Sequence, residues 1–377
     1  MKTIFKQLLC SVVLILAMSC GVDGVDGVDG QDGVDGVDGQ DGMDGADGTG
    51  GQATSGLTYV YFNGGITDAE AVTKVQNEIG SITQFIYVEN TTQLTTLDLS
   101  SVSQLITLII DDNVALTTIN ISNLVEVSQE IRFRDNPLVS SLNLSSLEKV
   151  SYYLYIEGSA DLNTTSLQQV DFSALSDVHE FYLRNSNVNN VDVSNLTDVY
   201  SIEFEENVNL TALDLSSITT GNAVAVYENP NLTTIDLSNL INTNSNLGIF
   251  NNDVLTSVDL SSLVTVSQFT ISQNSQLVTI NLPQLVTAAS SFNLYDNISL
   301  TTITFPALTS FSQVYFPGNN FSSSDVNTVL SQLVAISPTF SGKNVRLNNQ
   351  QISAPPTGQG VADYNTLVAN GNSVTTD

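Results

Sequence analysis

One hydrophobic pattern recurs eleven times between residues 85 and 319, and it limits this chain to a small group of folds. The pattern is an apolar residue, any residue, a second apolar residue, two residues of any kind and then usually asparagine. Copies follow one another every 21 to 27 residues. A unit of this length cannot bury its apolar side chains alone, so the units are expected to stack into a solenoid. The copies are Phe85/Tyr87/Asn90, Leu108/Ile110/Asn113, Ile131/Phe133/Asn136, Leu154/Ile156/Ser159, Phe181/Leu183/Ser186, Ile202/Phe204/Asn207, Val224/Val226/Asn229, Leu247/Ile249/Asn252, Phe269/Ile271/Asn274, Phe292/Leu294/Asn297 and Val314/Phe316/Asn319.

A second signature accompanies the first in each coil: a hydrophobic residue, usually Asp or Asn, a hydrophobic residue, then usually Ser. Its copies begin at residues 97, 119, 142, 170, 191, 213, 235, 258, 280 and 303, and the longer gap before 170 indicates an insertion near 163–169. Two runs of alternating apolar residues indicate two short strands per coil, each with one inward row of side chains. The sequence therefore predicts a mainly-β, parallel β-solenoid of about 11 coils, stacked about 4.7–4.9 Å apart.

The recurrent asparagine is interpreted as structural. Where the chain turns inward after a strand, backbone groups become buried and need hydrogen-bond partners. An asparagine amide both donates and accepts, so it can bond its own coil and the next one. Serine stands at two of the eleven positions, Ser159 and Ser186, beside the insertion. The predicted ladder consists of Asn90, Asn113, Asn136, Asn207, Asn229, Asn252, Asn274, Asn297 and Asn319.

The stretch Val266-x-x-Phe269-x-Ile271-x-x-Asn274-x-x-Leu277 matches the core motif of leucine-rich repeats. Over about residues 57–377 the chain resembles leucine-rich repeat proteins, in particular the receptor L-domain variety. It departs from them in having Phe, Val and Ile where leucine is more usual. The resemblance implies binding of proteins or glycans and leaves the partner open.

The amino terminus resembles a bacterial lipoprotein signal. Residues 1–19 combine Lys2 and Lys6 with an apolar run, and Ser19 stands before Cys20. We therefore expect lipidation at Cys20 and anchoring in the bacterial outer membrane. The resemblance to lipoproteins with acidic residues just beyond the cysteine implies a surface-exposed position. The alternative is simple cleavage that leaves the cysteine unused.

Residues 20–56 are expected to form a stalk. Glycine recurs at every third position from 21 to 48, usually preceded by Asp, and this resembles a short collagen-like segment. A flexible acidic spacer is favoured because the segment has no proline and its nine aspartates would repel one another in a triple helix. Trimerisation through the stalk and calcium binding by it stay open as alternatives.

The remaining boundaries follow from terminal sequences that differ from the repeats. Residues 57–90 are predicted as an N-terminal cap and first coil, because Thr67-Asp68-Ala69-Glu70 is a capping box that begins a helix. The repeat solenoid covers 91–319, and 320–377 is a C-terminal cap in which Ser324-Asp325 begins a second helix. Both caps cover ends of the stack that would otherwise associate.

Charge restricts the partners. The chain has 39 acidic against 9 basic residues, a formal net charge of −30. Phosphate binding needs clustered Lys and Arg, so nucleic acid is not an expected partner. The expected partner is an extracellular protein or glycan.

The candidate binding surface consists of the residues six, four and two places before each asparagine position, on the side opposite the core. Tyrosine and arginine are typical of recognition surfaces, and three of the four arginines fall in these rows. The alternative is that tyrosines paired across strands simply stabilise the sheet. The candidates, expected to form an exposed ribbon, are Arg132, Arg134, Tyr153, Tyr155, Tyr182, Arg184, Glu203, Glu205, Tyr227, Phe250, Tyr295 and Tyr315. Glu157 joins them in these rows.

No catalytic residue, cofactor or metal site is predicted. The single histidine, His179, has no convincing nucleophile beside it in sequence. Two alternatives stay open. One is a glycan-active enzyme that uses the concave-face carboxylates Glu203 and Glu205, about 7 Å apart along a strand. The other is an ice- or mineral-binding ladder of threonine pairs such as Thr233-Thr234. The sequence favours a cell-surface lipoprotein whose solenoid binds protein or glycan, for adhesion or ligand capture, and not an enzyme.

Overall fold

The computed structural model describes residues 55–159 and 167–377. The chain divides into two units, 1–51 and 52–377, and the second contains the repeats. The predictions of a signal peptide, of lipidation at Cys20 and of a glycine-rich stalk concern residues that lie outside the described ranges, apart from the last two positions of the stalk.

The described elements are mostly alternating long and short strands, with one helix near the amino end and two near the carboxyl end. In chain order they are β1 (Tyr59–Gly64), α1 (Asp68–Glu78), β2 (Phe85–Thr91), β3 (Thr96–Asp98), β4 (Gln104–Asp111), β5 (Thr118–Asn120), β6 (Glu126–Arg134), β7 (Ser141–Asn143), β8 (Lys149–Glu157), β9 (Gln169–Asp171), β10 (Asp177–Arg184), β11 (Asp198–Glu205), β12 (Ala212–Asp214), β13 (Thr220–Tyr227), β14 (Thr234–Asp236), β15 (Asn242–Phe250), β16 (Ser257–Asp259), β17 (Thr265–Ser272), β18 (Thr279–Asn281), β19 (Thr287–Tyr295), β20 (Thr302–Thr304), β21 (Ser310–Phe311), β22 (Gln313–Tyr315), α2 (Ser323–Val334), β23 (Asn344–Arg346), α3 (Gln359–Ala369) and β24 (Ser373–Thr375).

The long strands form one parallel sheet along the whole stack. Its order is β1-β2-β4-β6-β8-β10-β11-β13-β15-β17-β19-β22-β23-β24, and β21 also pairs with β19. The short strands form separate parallel sheets on another side of the coils: β3-β5, β7-β9, β12-β14-β16 and β18-β20. This architecture confirms the predicted mainly-β parallel solenoid of about 11 coils.

The core lies between the long and the short strands. Leu247 of β15 is aligned with Phe269 of β17, and Ile235 of β14 with Val258 of β16. Leu247, Phe269 and Ile235 are at most 2% exposed. Burying one such side chain contributes about 1.5–3 kcal/mol. Because each coil covers the apolar row of the next, the stability of the stack depends on neighbouring coils.

The first copy of the repeat lies one residue further along the chain than the sequence pattern predicts. Ile86 and Val88 are the buried residues of β2, and they pair with Leu108 and Ile110 of β4. Asn90 is exposed and has a φ of 55°, in the left-handed region that asparagine tolerates. The prediction that Asn90 belongs to the ladder is therefore wrong.

Thr91 occupies the ladder position of the first coil instead. Its hydroxyl donates to Oδ1 of Asn113 at 2.8 Å, and its backbone N–H donates to the same oxygen at 3.2 Å. Thr91 is fully buried.

Asn229 shows the ladder geometry clearly. Its Oδ1 accepts from the backbone N–H of Asn207 at 3.0 Å and from Nδ2 of Asn207 at 3.2 Å. Its Nδ2 donates to the carbonyls of Phe204 at 3.1 Å and Tyr227 at 3.0 Å. Its backbone N–H donates to Oδ1 of Asn252 at 3.1 Å, so the asparagine joins its own coil to both neighbours. The same arrangement recurs at Asn252, Asn274 and Asn297.

The second signature fixes the turn after each short strand. Oδ1 of Asp214 accepts from the backbone N–H of Ser216 at 2.9 Å, which is the turn that an Asp two residues before a Ser favours. The equivalent hydrogen bond from Ser100 is the main cause that lowers the pKa of Asp98 below its ordinary value. These aspartates therefore have a structural role in the turns.

Both ends of the solenoid carry helices. The backbone N–H of Thr67 donates to Oε2 of Glu70 at 2.8 Å, which completes the capping box of α1. The helix α2 begins at Ser323, capped by Ser322 and Asp325, one residue before the predicted start. The helices α2 and α3 pack against each other. Among the described helices, none has the length and apolar character needed to cross a bilayer.

Candidate binding surface

The outward side chains of the long sheet form rows that run across the strands. In the central row, Arg132 of β6 is aligned with Tyr155 of β8, Tyr155 with Tyr182 of β10, and Tyr182 with Glu203 of β11. Ala225 of β13 continues the row. Strands in a sheet are about 4.8 Å apart, so neighbouring side chains in a row are in contact.

Arg184 is the centre of the densest group of predicted site residues. Its guanidinium carbon lies 5.1 Å from the ring centre of Tyr182 and 5.5 Å from that of Tyr155. Its Nη2 forms an ion pair with Glu203, and its Nε lies 3.4 Å from Oε2 of Glu205. We call the following residues the Arg184 cluster: Tyr153, Tyr155, Glu157, Glu180, Tyr182, Arg184, Glu203, Glu205 and Tyr227.

The tyrosine hydroxyls of the cluster donate to its carboxylates. Tyr155 donates to Oε2 of Glu157 and Tyr227 to Oε1 of Glu203, both at 2.7 Å, and Tyr182 donates to Glu180. Burial is the main cause that raises the pKa of Tyr155 and Tyr182, and the adjacent glutamates raise it further. These hydroxyls therefore stay protonated as donors.

Exposure is where the predicted ribbon and the structure differ. Tyr182 and Tyr227 are each only 7% exposed, so the prediction that their rings are open to solvent is wrong. Phe250 stacks on Tyr227 with ring centres 4.6 Å apart, and Tyr153 and Tyr155 lie beside Tyr182. The solvent-accessible part of the cluster is formed by the half-buried Tyr153, Tyr155, Glu157 and Arg184, and Phe250 on Tyr227 is half-buried too.

The cluster holds more negative than positive charge. Glu180, Glu203 and Glu205 are all less than 9% exposed; Glu203 and Glu205 share the guanidinium of Arg184, and Glu180 accepts from the hydroxyl of Tyr182. Burial raises the pKa of Glu203, even though Arg184 acts in the opposite direction. Burial lowers the pKa of Arg184, but the charges of Glu203 and other neighbours outweigh it, so the net shift is upward. The buried carboxylates are thus incompletely compensated.

Two further arginines are committed to acidic neighbours. Nε of Arg132 lies 2.7 Å from Oδ2 of Asp111, and Nη2 of Arg134 lies 3.5 Å from the same oxygen. The Asp111 side chain is 3% exposed, and burial raises its pKa despite Arg132. Arg132 adjoins the Arg184 cluster through its alignment with Tyr155.

Tyr295 and Tyr315 form a separate group near the carboxyl end. Their ring centres are 5.8 Å apart, and the guanidinium of Arg346 lies 5.2 Å from the ring centre of Tyr315. The buried Ser272 of β17 stands between Tyr295 and Phe250 in their row. The predicted candidates therefore form two groups on the same face and not one continuous strip.

Sequence reasoning missed a second aromatic row. The His179 ring stacks between Tyr152, at 5.5 Å, and Tyr200, at 4.4 Å. Each of the three stands seven places before the ladder residue of its coil, which is the signal that could have found them. Near this row the strand pairing shifts in register between Val178 and Glu180, so simple alternation does not predict where these side chains lie.

Comparisons with known proteins agree with this architecture. Residues 139–247 and 226–322 match the BspA type leucine rich repeat region in six copies, and together they span slightly less than half of the chain. This part of the chain is a leucine-rich repeat solenoid similar to that family. No curated protein sequence matches the chain significantly.

Three of the solved structures that match the chain are of repeat proteins, each with a TM-score below 0.5. A leucine-rich repeat protein from Bacteroides ovatus is 12% identical, with a TM-score of 0.41, covering 81% of this chain and 93% of its own. An internalin, InlF, from Listeria monocytogenes is 15% identical, with a TM-score of 0.32 and coverages of 84% and 86%. The functional domain of InlJ from Listeria monocytogenes, which includes a cysteine ladder, is 18% identical, with a TM-score of 0.22 and coverages of 73% and 57%.

Proposed function

We propose that this chain is a binding protein without chemistry of its own, which uses the Arg184 cluster to contact an extracellular protein in adhesion or ligand capture. The observation that carries the proposal is the guanidinium of Arg184, held beside two tyrosine rings and two glutamates on the outward face of the sheet. Arginine and tyrosine fixed by their neighbours lose little conformational freedom when a partner docks.

The charge of the cluster specifies the chemistry of the partner. Four glutamates stand against one arginine, and the chain as a whole carries a formal charge of −30. A partner surface with exposed lysine or arginine next to an apolar residue would compensate the carboxylates and cover Tyr153 and Tyr155. Electrostatic attraction of this kind accelerates association and weakens as salt increases.

The same contacts favour binding over the two alternatives. Glu203 and Glu205 both face Arg184, an arrangement that suits an ion cluster better than an acid and a nucleophile flanking a sugar. On the threonine side, the hydroxyl of Thr233 donates to the carbonyl of Thr211 at 2.8 Å, and that of Thr256 to the carbonyl of Thr233 at 3.1 Å. Hydroxyls engaged between coils support a structural role for the threonines.

The proposal includes display at the bacterial surface. A lipid on Cys20 would anchor the chain in the outer membrane, and the glycine- and aspartate-rich segment would hold the solenoid away from it. Labelling of the protein with radioactive palmitate, lost in Cys20→Ala, tests the anchor. Accessibility of intact cells to an antibody against the solenoid tests the display.

A protein array and a glycan array probed with the purified protein test the binding role. We expect a basic extracellular protein to bind, and Arg184→Ala together with Tyr155→Ala to weaken its binding at least about tenfold. Arg346→Ala is the matched control, because Arg346 also lies over a tyrosine ring on this face but far from the cluster. Equal loss in the control and the double variant, with both folded by circular dichroism, would assign binding to another surface.

A further inference from the structure

We infer that a second binding site, separate from the Arg184 cluster, lies in an open groove near the amino-terminal ends of β8, β10, β11, β13 and β15, and that it takes a neutral saccharide. The groove has a volume of about 460 Å³. This falls in the range of small-molecule sites, which combine aromatic surface with a few convergent polar groups.

The aromatic lining of the groove is formed by His179 and Tyr200, and Tyr152 stacks on His179 beside the groove. Tyr152 is 46% and Tyr200 43% exposed, so the row offers ring surface that the Arg184 cluster does not. The row of rings ends at Tyr200, because the equivalent residue of the next coil is Asn222. Among the described residues, the Tyr200 ring stacks on the His179 ring. The opposite face of the Tyr200 ring, toward Asn222, is therefore available for the C–H face of a sugar ring.

The polar part of the groove consists of uncommitted side chains. Ser151, Asn222 and Asn244 line the groove, and their side chains make no hydrogen bond within the described residues. Elsewhere on the solenoid surface, Asn231 and Asn239 each donate to a carbonyl of the preceding coil at 2.7 Å. Free amides both donate and accept, which is the pairing that sugar hydroxyls require.

The charges of the groove select an uncharged ligand. Asp177 is paired with Lys149 at 2.6 Å, and Asp198 accepts from the hydroxyl of Thr220. Lys149 is thus compensated by Asp177, whereas Asp198 keeps its negative charge and repels anionic ligands, so the amides and the rings are the contacts for an uncharged one. The strongly acidic chain disfavours anionic saccharides such as those with sulfates or uronic acids.

The test is a titration of the purified protein with maltotetraose, cellotetraose, laminaritetraose, mannotetraose and, as an anionic arm, a hyaluronan tetrasaccharide, followed by saturation-transfer NMR and calorimetry. We expect at least one neutral tetrasaccharide to bind. Tyr200→Ala should weaken its binding about tenfold or more. Asn222→Ala, which removes no side-chain hydrogen bond to any residue that the structure describes, should weaken it as well.

Tyr61→Ala is the matched control. Tyr61 is 48% exposed and stacks on Tyr87 with ring centres 4.9 Å apart, but it lies on β1, at the amino-terminal end of the sheet and away from the groove. Its replacement, and that of Arg184, should leave the saccharide affinity unchanged, which separates this site from the proposed protein contact. The inference is overturned if no neutral probe binds at millimolar concentration, if only hyaluronan binds, or if Tyr200→Ala has no larger effect than Tyr61→Ala.

Discussion

Replacing Asn229 with alanine tests the asparagine ladder at its best-defined point. The change removes the acceptor used by the backbone N–H and Nδ2 of Asn207, and the donor used by the carbonyls of Phe204 and Tyr227. Asn207 and Asn229 are fully buried, so water does not replace these partners in the intact stack. A buried polar group that loses its partner costs about 1–3 kcal/mol. With the two donors of Asn207 orphaned, we expect a loss of about 2–6 kcal/mol in the free energy of unfolding.

The assay is urea unfolding followed by far-UV circular dichroism, with Asn231→Ala as the matched control. Asn231 lies two residues away in the same coil and makes its hydrogen bond to Val208 at an exposed site, so its loss should cost less than about 1 kcal/mol. Asn229→Thr should be less damaging than Asn229→Ala, because Thr91 fills this position in the first coil. If Asn229→Ala and Asn231→Ala unfold at the same urea concentration, the buried hydrogen bonds do not stabilise the stack as argued.

Two other variants probe the Arg184 cluster through stability. Tyr182→Ala should lower the free energy of unfolding by about 3 kcal/mol, because the Tyr182 side chain is only 7% exposed. Tyr61→Ala, which removes an exposed ring, should lower it by less than about 1 kcal/mol. Equal effects of the two variants in thermal melts would contradict the burial argument. Glu203 has a raised pKa in the folded state, so its ionisation opposes folding as pH rises above the ordinary glutamate pKa. Relative to wild type, Glu203→Gln should therefore gain stability as pH rises from the ordinary glutamate pKa to the raised one, with a constant difference below the ordinary pKa and above the raised one. A difference that does not change with pH would refute the shift.

The sequence predicts the coil architecture well because its cause is local. Alternating apolar residues such as Leu247 and Ile249 recur at a fixed period, and each inward side chain needs the next coil to cover it. Exposure on the outer face has a different cause. Tyr227 is covered by Phe250 of β15, a contact that depends on how neighbouring coils align and not on the alternation within β13.

The aromatic row at the groove escaped prediction for a related reason. The strands pair in shifted register between Val178 and Glu180. A residue at such an irregularity does not obey the rule that alternate side chains lie on opposite faces. His179 is the single histidine of the sequence. The pairing of β8, β10 and β11 places its ring between Tyr152 and Tyr200.

The register error in the first coil shows which feature fixes the register of this repeat. Phe85, Ile86, Tyr87 and Val88 are all apolar, so alternation alone allows either pair to face the core. The turn that follows is less ambiguous. The residue directly before the ladder position has a positive φ in many of the described coils, as in Asn90, Asp112, Asp135, Glu206, Glu228, Asn251, Gln273, Asp296 and Gly318.

Holding a non-glycine residue in this left-handed conformation costs about 1–2 kcal/mol, and the buried hydrogen bonds of the next residue offset that cost. Asparagine, aspartate and glycine tolerate the conformation best. A polar residue followed by Asn, Ser or Thr therefore marks the turn, and in the first coil the pair Asn90-Thr91 satisfies this rule. Applied to the sequence, the rule places Thr91 in the ladder and Ile86 and Val88 in the core, where the strand pairing has them.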